Sequence, residues 1–270
     1  MATKTWLGTT SGDVTVSTNW SPANQPTAAD DVIITGSVAI DGATLSASGN
    51  LASFVIRDYT GTIGSEAADL VVDLAASSNV SIDTTSKAYL DFNASDVDVD
   101  VHQTATTTGT ASGLHLKGSS INDLNVYRSG SSVLVVEDTL DGDINTYNSG
   151  VTVTLAAAAV AVNYNGPGRL YAHGSLTNIF ATGSDVDYYG SGAITTAKAE
   201  KGATINYYSS ANITNAYAYG GTIDGSMSNE TVTSTNNDVQ EGGSIKPGPN
   251  WTLTNNPTTG YIVTTLGMWY

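Results

Sequence analysis

Three aspartates alternate with valines in Asp96-Val97-Asp98-Val99-Asp100-Val101, and His102 follows. Successive side chains of a β-strand point to opposite faces, so the three valines share one face and the three carboxylates the other. Such a row offers the hard oxygen ligands that Ca2+ takes. A polysaccharide lyase would add an Arg or Lys to remove a proton, yet Arg57, Arg128 and Arg169 are all remote in sequence. The preferred reading is a solvated polar face that also discourages edge pairing.

A glycosidase needs two carboxyl groups about 5 to 9.5 Å apart. Glu137, Asp138, Asp141 and Asp143 cluster around Gly142, but acids gathered at a glycine read more simply as a chain corner. His102, His115 and His173 lack metal-ligand spacing, and His115, between Leu114 and Leu116, is expected to face outward. With no Cys in the chain, thiol catalysis, disulfides and thiolate metal sites are excluded. The expectation is therefore no catalytic residue, no metal and no cofactor. Of the 14 Tyr, ten fall between 127 and 219. Among them Tyr188, Tyr189, Tyr207, Tyr208, Tyr217 and Tyr219 recur near one step. They can form a ladder between stacked chain segments, a subunit interface or a glycan-binding face, because tyrosine combines apolar area with a polar tip; the ladder ranks first.

The elements that must carry these residues are short. Apolar words such as Val32-Ile33-Ile34, Phe54-Val55-Ile56, Leu70-Val71-Val72 and Val133-Leu134-Val135-Val136 are punctuated by 28 Gly, which is the signature of short strands and tight turns. The Ala-rich stretch Leu155 to Val162 is read as strand and turn. A period of 18 to 20 residues organises the second half. Leu176, Ile194, Ile213 and Val232 follow one another at 18, 19 and 19 residues, and Val186, Ile205 and Ile223 at 19 and 18. Upstream, Leu124 matches Ile144 and Ser129-Gly130 matches Ser149-Gly150 at a step of 20.

A repeat this short cannot bury an apolar face alone and must stack on its neighbours. The sequence therefore predicts an all-β chain, a single-stranded right-handed parallel β-helix (β-solenoid) with 18–20 residue coils and capped ends. Residues 1–35 form the amino-terminal cap and entry strand, 36–239 the body, and 240–270 the carboxy-terminal cap or attachment tail. Ile205, Ile213 and Val232 are expected to point inward, and Thr104 to Gly113 to form a loop. Alanine suits the narrow bore.

Charge narrows the partners. Nine Lys and Arg against 25 Asp and Glu give a net charge of −16, and the scattered cations argue against nucleic acid and anionic membranes. No signal-peptide core opens the sequence, so the expected route is synthesis in the cytoplasm without export by an ordinary signal peptide.

Trp6-Leu7-Gly8, Asn19-Trp20-Ser21-Pro22 and Pro26 to Ile34, with Asp30-Asp31 inside it, form an ordered pattern. It resembles the opening of β-helical virion proteins of bacteriophages and of bacterial autotransporter and adhesin-like passengers, over about 30 of the 270 residues. The resemblance implies a cap in which two Trp cover the apolar bore. It further implies a non-enzymatic capsid decoration or tail component, located in the virion, homotrimeric, and bound to a major capsid protein or other virion protein. A glycan-binding adhesin module, engaging a host surface glycan, and a polysaccharide-degrading tailspike enzyme are the alternatives. The candidate attachment residues are Trp6, Trp20, Trp251, Trp269 and Tyr270.

Overall fold

The computed structural model describes residues 2–45, 50–93, 96–103, 113–118, 121–127, 133–136, 140–147, 152–156, 158–255 and 261–262. Strands make up 61% of the chain, stacked in parallel as a β-solenoid of about ten turns. Among the described residues there is no α-helix, and the one helical element is the 3-10 turn Ser17–Asn19.

The alternation in the sequence explains why each strand forms. Val97, Val99 and Val101 are fully buried while Asp98 and Asp100 lie on the other face. The same inside-outside pattern recurs in Asp31–Ile34, Ala88–Asn93, Arg169–Ala172 and Thr204–Tyr207. A parallel ladder then repeats each inward position one coil later, so columns of like residues stack.

Two compact units divide the chain. One comprises residues 1–142 and 149–152, the other 143–148 and 153–270. In the first unit, one sheet stacks Thr3–Trp6, Asp31–Ile34, Leu51–Tyr59, the second half of Leu70–Thr84, Val97–Gln103 and Ile121–Val126. Its inward column runs Ile34, Ile56, Ile82, Val101, Val126 in strict register, each no more than 1% exposed. The other sheet stacks Thr44–Leu45, the first half of Leu70–Thr84, Ala88–Asn93, Leu114–Gly118 and Val133–Val136. The expected cap is partly a coil: Thr3–Trp6 is already a parallel strand, and Trp20–Ser21 folds back antiparallel on it. Thr104 to Ser112 lies outside the described residues.

In the second unit, Val186, Ile205 and Ile223 stack in register as the sequence predicts, and the column extends to Leu170 before them and Ile245 after. The opposite sheet carries small residues at its inward positions: Ala197 and Ala216 in one column, Ala181, Ala199 and Ala218 in the next. All five are buried, so alanine does line the bore. The stretch around the four alanines forms two strands, Thr152–Leu155 and Ala159–Asn165.

Two expectations need correction. Val232 is buried but two positions out of register, because Ile213 pairs with Ser234 instead. The turn between Asp224 and Val232 lengthens this coil, and Ser234 and Asn237 take inward positions, satisfying each other through a 2.7 Å hydroxyl-to-amide-oxygen hydrogen bond. Nor does the stack end at 239. Ser244–Lys246, Trp251–Asn255 and Tyr261–Ile262 continue both parallel sheets. Leu124 and Ile144 fall in different units, and Ser129-Gly130 with Ser149-Gly150 lie outside the described residues.

Candidate functional surfaces

The carboxylates singled out by sequence hold neighbouring coils together. Asp98 accepts hydrogen bonds from the Asn122 side-chain amide at 2.8 Å and from the Asp123 backbone N–H at 3.3 Å. Asp100 accepts one from the Asn125 amide at 3.1 Å. Among the described residues no group of three His, Asp or Glu is placed to hold a metal ion. Glu137 and Asp138 lie outside the described residues, while Asp141 is exposed and Asp143 half-buried.

The histidines join aromatic stacks. His102 lies flat on Tyr127 at 5.1 Å and His173 flat on Tyr189 at 5.0 Å. His115 faces away from Leu114 and Leu116 as expected, yet it is only 9% exposed. Tyr89, its register partner on the preceding coil, packs edge-on against it at 5.5 Å.

The tyrosines divide by strand parity. Tyr188 and Tyr207 are completely buried, which removes both from any interface or glycan face. Their rings pack at 5.3 Å, and their hydroxyls donate to turn carbonyls four residues on, Gly192 at 2.9 Å and Ala211 at 2.7 Å. Burial pushes both phenol pKa values up, because the charged form loses its hydration. Their neighbours Tyr189 and Tyr208 point outward and stack at 4.9 Å, so His173, Tyr189 and Tyr208 form one outer ladder. Both faces of Tyr189 are covered, and only its edge meets solvent. On the opposite sheet Tyr217 and Tyr219 stack at 5.8 Å, and Lys198 lies 5.3 Å from the Tyr219 ring centre. Burial, reinforced by its hydrogen bond to Asp238, pushes the Tyr219 hydroxyl up to about 12.

The tryptophans correct the attachment expectation. Trp6 and Trp20 are each 1% exposed and meet edge to face at 5.2 Å; the Trp20 indole N–H donates to Val14 O at 2.8 Å. So buried, they present no surface to a partner. Trp251 is half-buried and packs against the Tyr207 ring at 5.4 Å. Trp269 and Tyr270 lie outside the described residues.

Sequence reasoning missed two places. One is Asp187, whose side chain is 2% exposed and whose Oδ2 receives the Arg169 guanidinium at 2.6 and 2.9 Å. Its Oδ1 accepts from the Asn206 amide at 2.6 Å, and Arg169 also covers Tyr171. Register was the available signal, since Tyr171, Asp187 and Asn206 share one outward column. The other is an open cleft of roughly 510 Å3 beside Lys4 and Asp30. Burial raises the Asp30 pKa, but hydrogen bonds from Thr27 and the Ala2 N–H, with the Lys4 charge, hold it below the usual carboxylate range.

Comparison with protein-family models, with curated proteins and with solved structures finds no match.

Proposed function

We propose that the chain is a non-enzymatic structural component of a bacteriophage virion, a β-solenoid that decorates the capsid or is mounted on the tail. One observation carries the non-enzymatic part of this reading: along the stacked strands, outward carboxylates and amides pair with their counterparts one coil away. Asp98 with Asn122, Asp187 with Asn206, Asn163 with Asn145, and the run Asn255, Asn236, Asn215 all follow this rule. Side chains so engaged order the backbone and hold the coils in register, which is what a passive scaffold requires. The −16 charge supports the same reading, since like-charged copies stay soluble and separate before assembly. The virion assignment rests on the amino-terminal resemblance. With Trp6 and Trp20 internal, attachment or trimer contacts fall to exposed aromatics such as Tyr189.

Glycan binding on the outer tyrosine ladder draws less support. Sugars stack on the flat face of an aromatic ring, and the outer ladder occupies the faces of Tyr189 with His173 and Tyr208.

The enzymatic alternative is tested by incubating the protein, and its Asp98→Asn and Asp187→Asn variants, with bacterial capsular polysaccharides. The expected result is no oligosaccharide release by any of the three. Asp187→Asn should still lose about 1–3 kcal/mol of stability, since a buried charge-assisted hydrogen bond is broken. Release by the parent chain that disappears in either variant would establish catalysis and overturn the proposal.

A further inference from the structure

Lys4 occupies an inward position. It is in register with Val32, whose column continues through Phe54, Val80 and Val99 to Leu124. Every other member of that column is apolar and no more than 1% exposed, and Lys4 itself is only 6% exposed. The lysine ends the column and lines the open cleft together with Thr15, Ser17, Asn24, Gln25 and Asp30. Among the described residues its ammonium makes no hydrogen bond and has no carboxylate within ion-pair distance. The nearby Asp30 carboxylate is engaged elsewhere, by the Ala2 N–H at 2.8 Å and by the Thr27 N–H and hydroxyl at 3.0 Å each. Its Nζ keeps contact with the open cleft, so its three donors stand available to water or to a ligand.

We infer that this cleft is a binding site for a carboxylated sugar, a hexuronate-type residue, with Lys4 pairing the sugar's carboxylate. The Ser17 hydroxyl and the amides of Asn24 and Gln25 both donate and accept, and the Thr15 hydroxyl, which donates to Asp13 at 2.7 Å, can still accept; this set matches the hydroxyls of a sugar ring. A single cation suits a singly charged carboxylate. A phosphate would call for further cations or converging backbone donors, and the −16 field disfavours multiply charged anions. The volume lies within the usual range of small-molecule sites, about 300–1,000 Å3. The inference is independent of whether the protein is part of a virion.

The test is an NMR titration of the isotopically labelled full chain with D-glucuronate, D-galacturonate, D-glucose and inorganic phosphate. At least one uronate should give saturable shifts confined to the amides of residues 2–6 and 13–30, with glucose at least tenfold weaker. Lys4→Met should weaken the uronate at least tenfold while the rest of the spectrum is unchanged. Asn24→Ala, on an exposed turn, should weaken it severalfold with the charge intact, and it serves alone if Lys4→Met does not fold. Absence of saturable shifts with both uronates, undiminished binding in the variants, or equal binding of glucose would each overturn the assignment. Phosphate binding as tight as the uronate would make it a general anion site and overturn the sugar assignment.

Discussion

Tyr207→Ala is expected to destabilise the second unit by about 3–5 kcal/mol, as truncation of a large buried aromatic does. The ring is wholly enclosed, against Tyr188 at 5.3 Å and Trp251 at 5.4 Å, and its hydroxyl donates to the buried Ala211 carbonyl. Truncation leaves a void and an unpaired carbonyl together. Tyr207→Phe keeps the ring and loses only the hydrogen bond, so its expected cost is about 1 kcal/mol. Tyr208→Ala, one residue on but facing outward in the ladder, removes one side of a stack and should cost about 0.5–1.5 kcal/mol. Urea unfolding followed by Trp251 fluorescence distinguishes the three. Equal losses for Tyr207→Ala and Tyr208→Ala would mean that the facing derived for this strand is wrong.

The second large effect concerns backbone spacing. At Gly190 an added methyl would fall on the Gly174 carbonyl of the preceding coil, a backbone atom that cannot turn aside. The Gly190 carbonyl in turn accepts the Ser209 hydroxyl of the next coil, so three coils meet at this corner. Gly190→Ala should cost about 3 kcal/mol, at the upper end for overpacking. The matched control is Gly202→Ala. Gly202 has φ +82° and open space around it, so alanine there incurs only the left-handed backbone penalty, about 1–2 kcal/mol. Denaturant midpoints compare the two, and a Gly190 variant no worse than the Gly202 variant would show that the coils do not approach as closely as described.

What the sequence disclosed follows from which interactions leave a periodic trace. The column Val186, Ile205, Ile223 was legible because branched apolar residues repeat at nearly constant spacing, and the structure extends it to Ile245. The register at Val232 was not, because the lengthened turn coincides with a buried Ser234–Asn237 pair that no hydrophobic pattern detects. The Tyr188-Tyr189 and Tyr207-Tyr208 pairs read as one aromatic surface, although consecutive strand residues must face opposite ways; parity alone assigns one of each pair to the core. The spacing of Trp6 and Trp20 marks both as aromatic anchors of the first coil but does not show that burial takes them away from any partner surface. Lys4 escaped notice because a charge at an inward position runs against the rule that locates inward positions. Asp187 was overlooked because its partner Arg169 lies one coil and two residues away, a relation visible only once the register is fixed.

The central claim, a structural component of a virion, is tested most directly by the copy number of this chain in purified particles. Quantitative mass spectrometry of density-banded virions from a lysate of the host should find it in a fixed whole-number ratio to the major capsid or tail protein, retained through high-salt washing. Particles that lack the chain, with all of it left in the soluble fraction, would contradict the account.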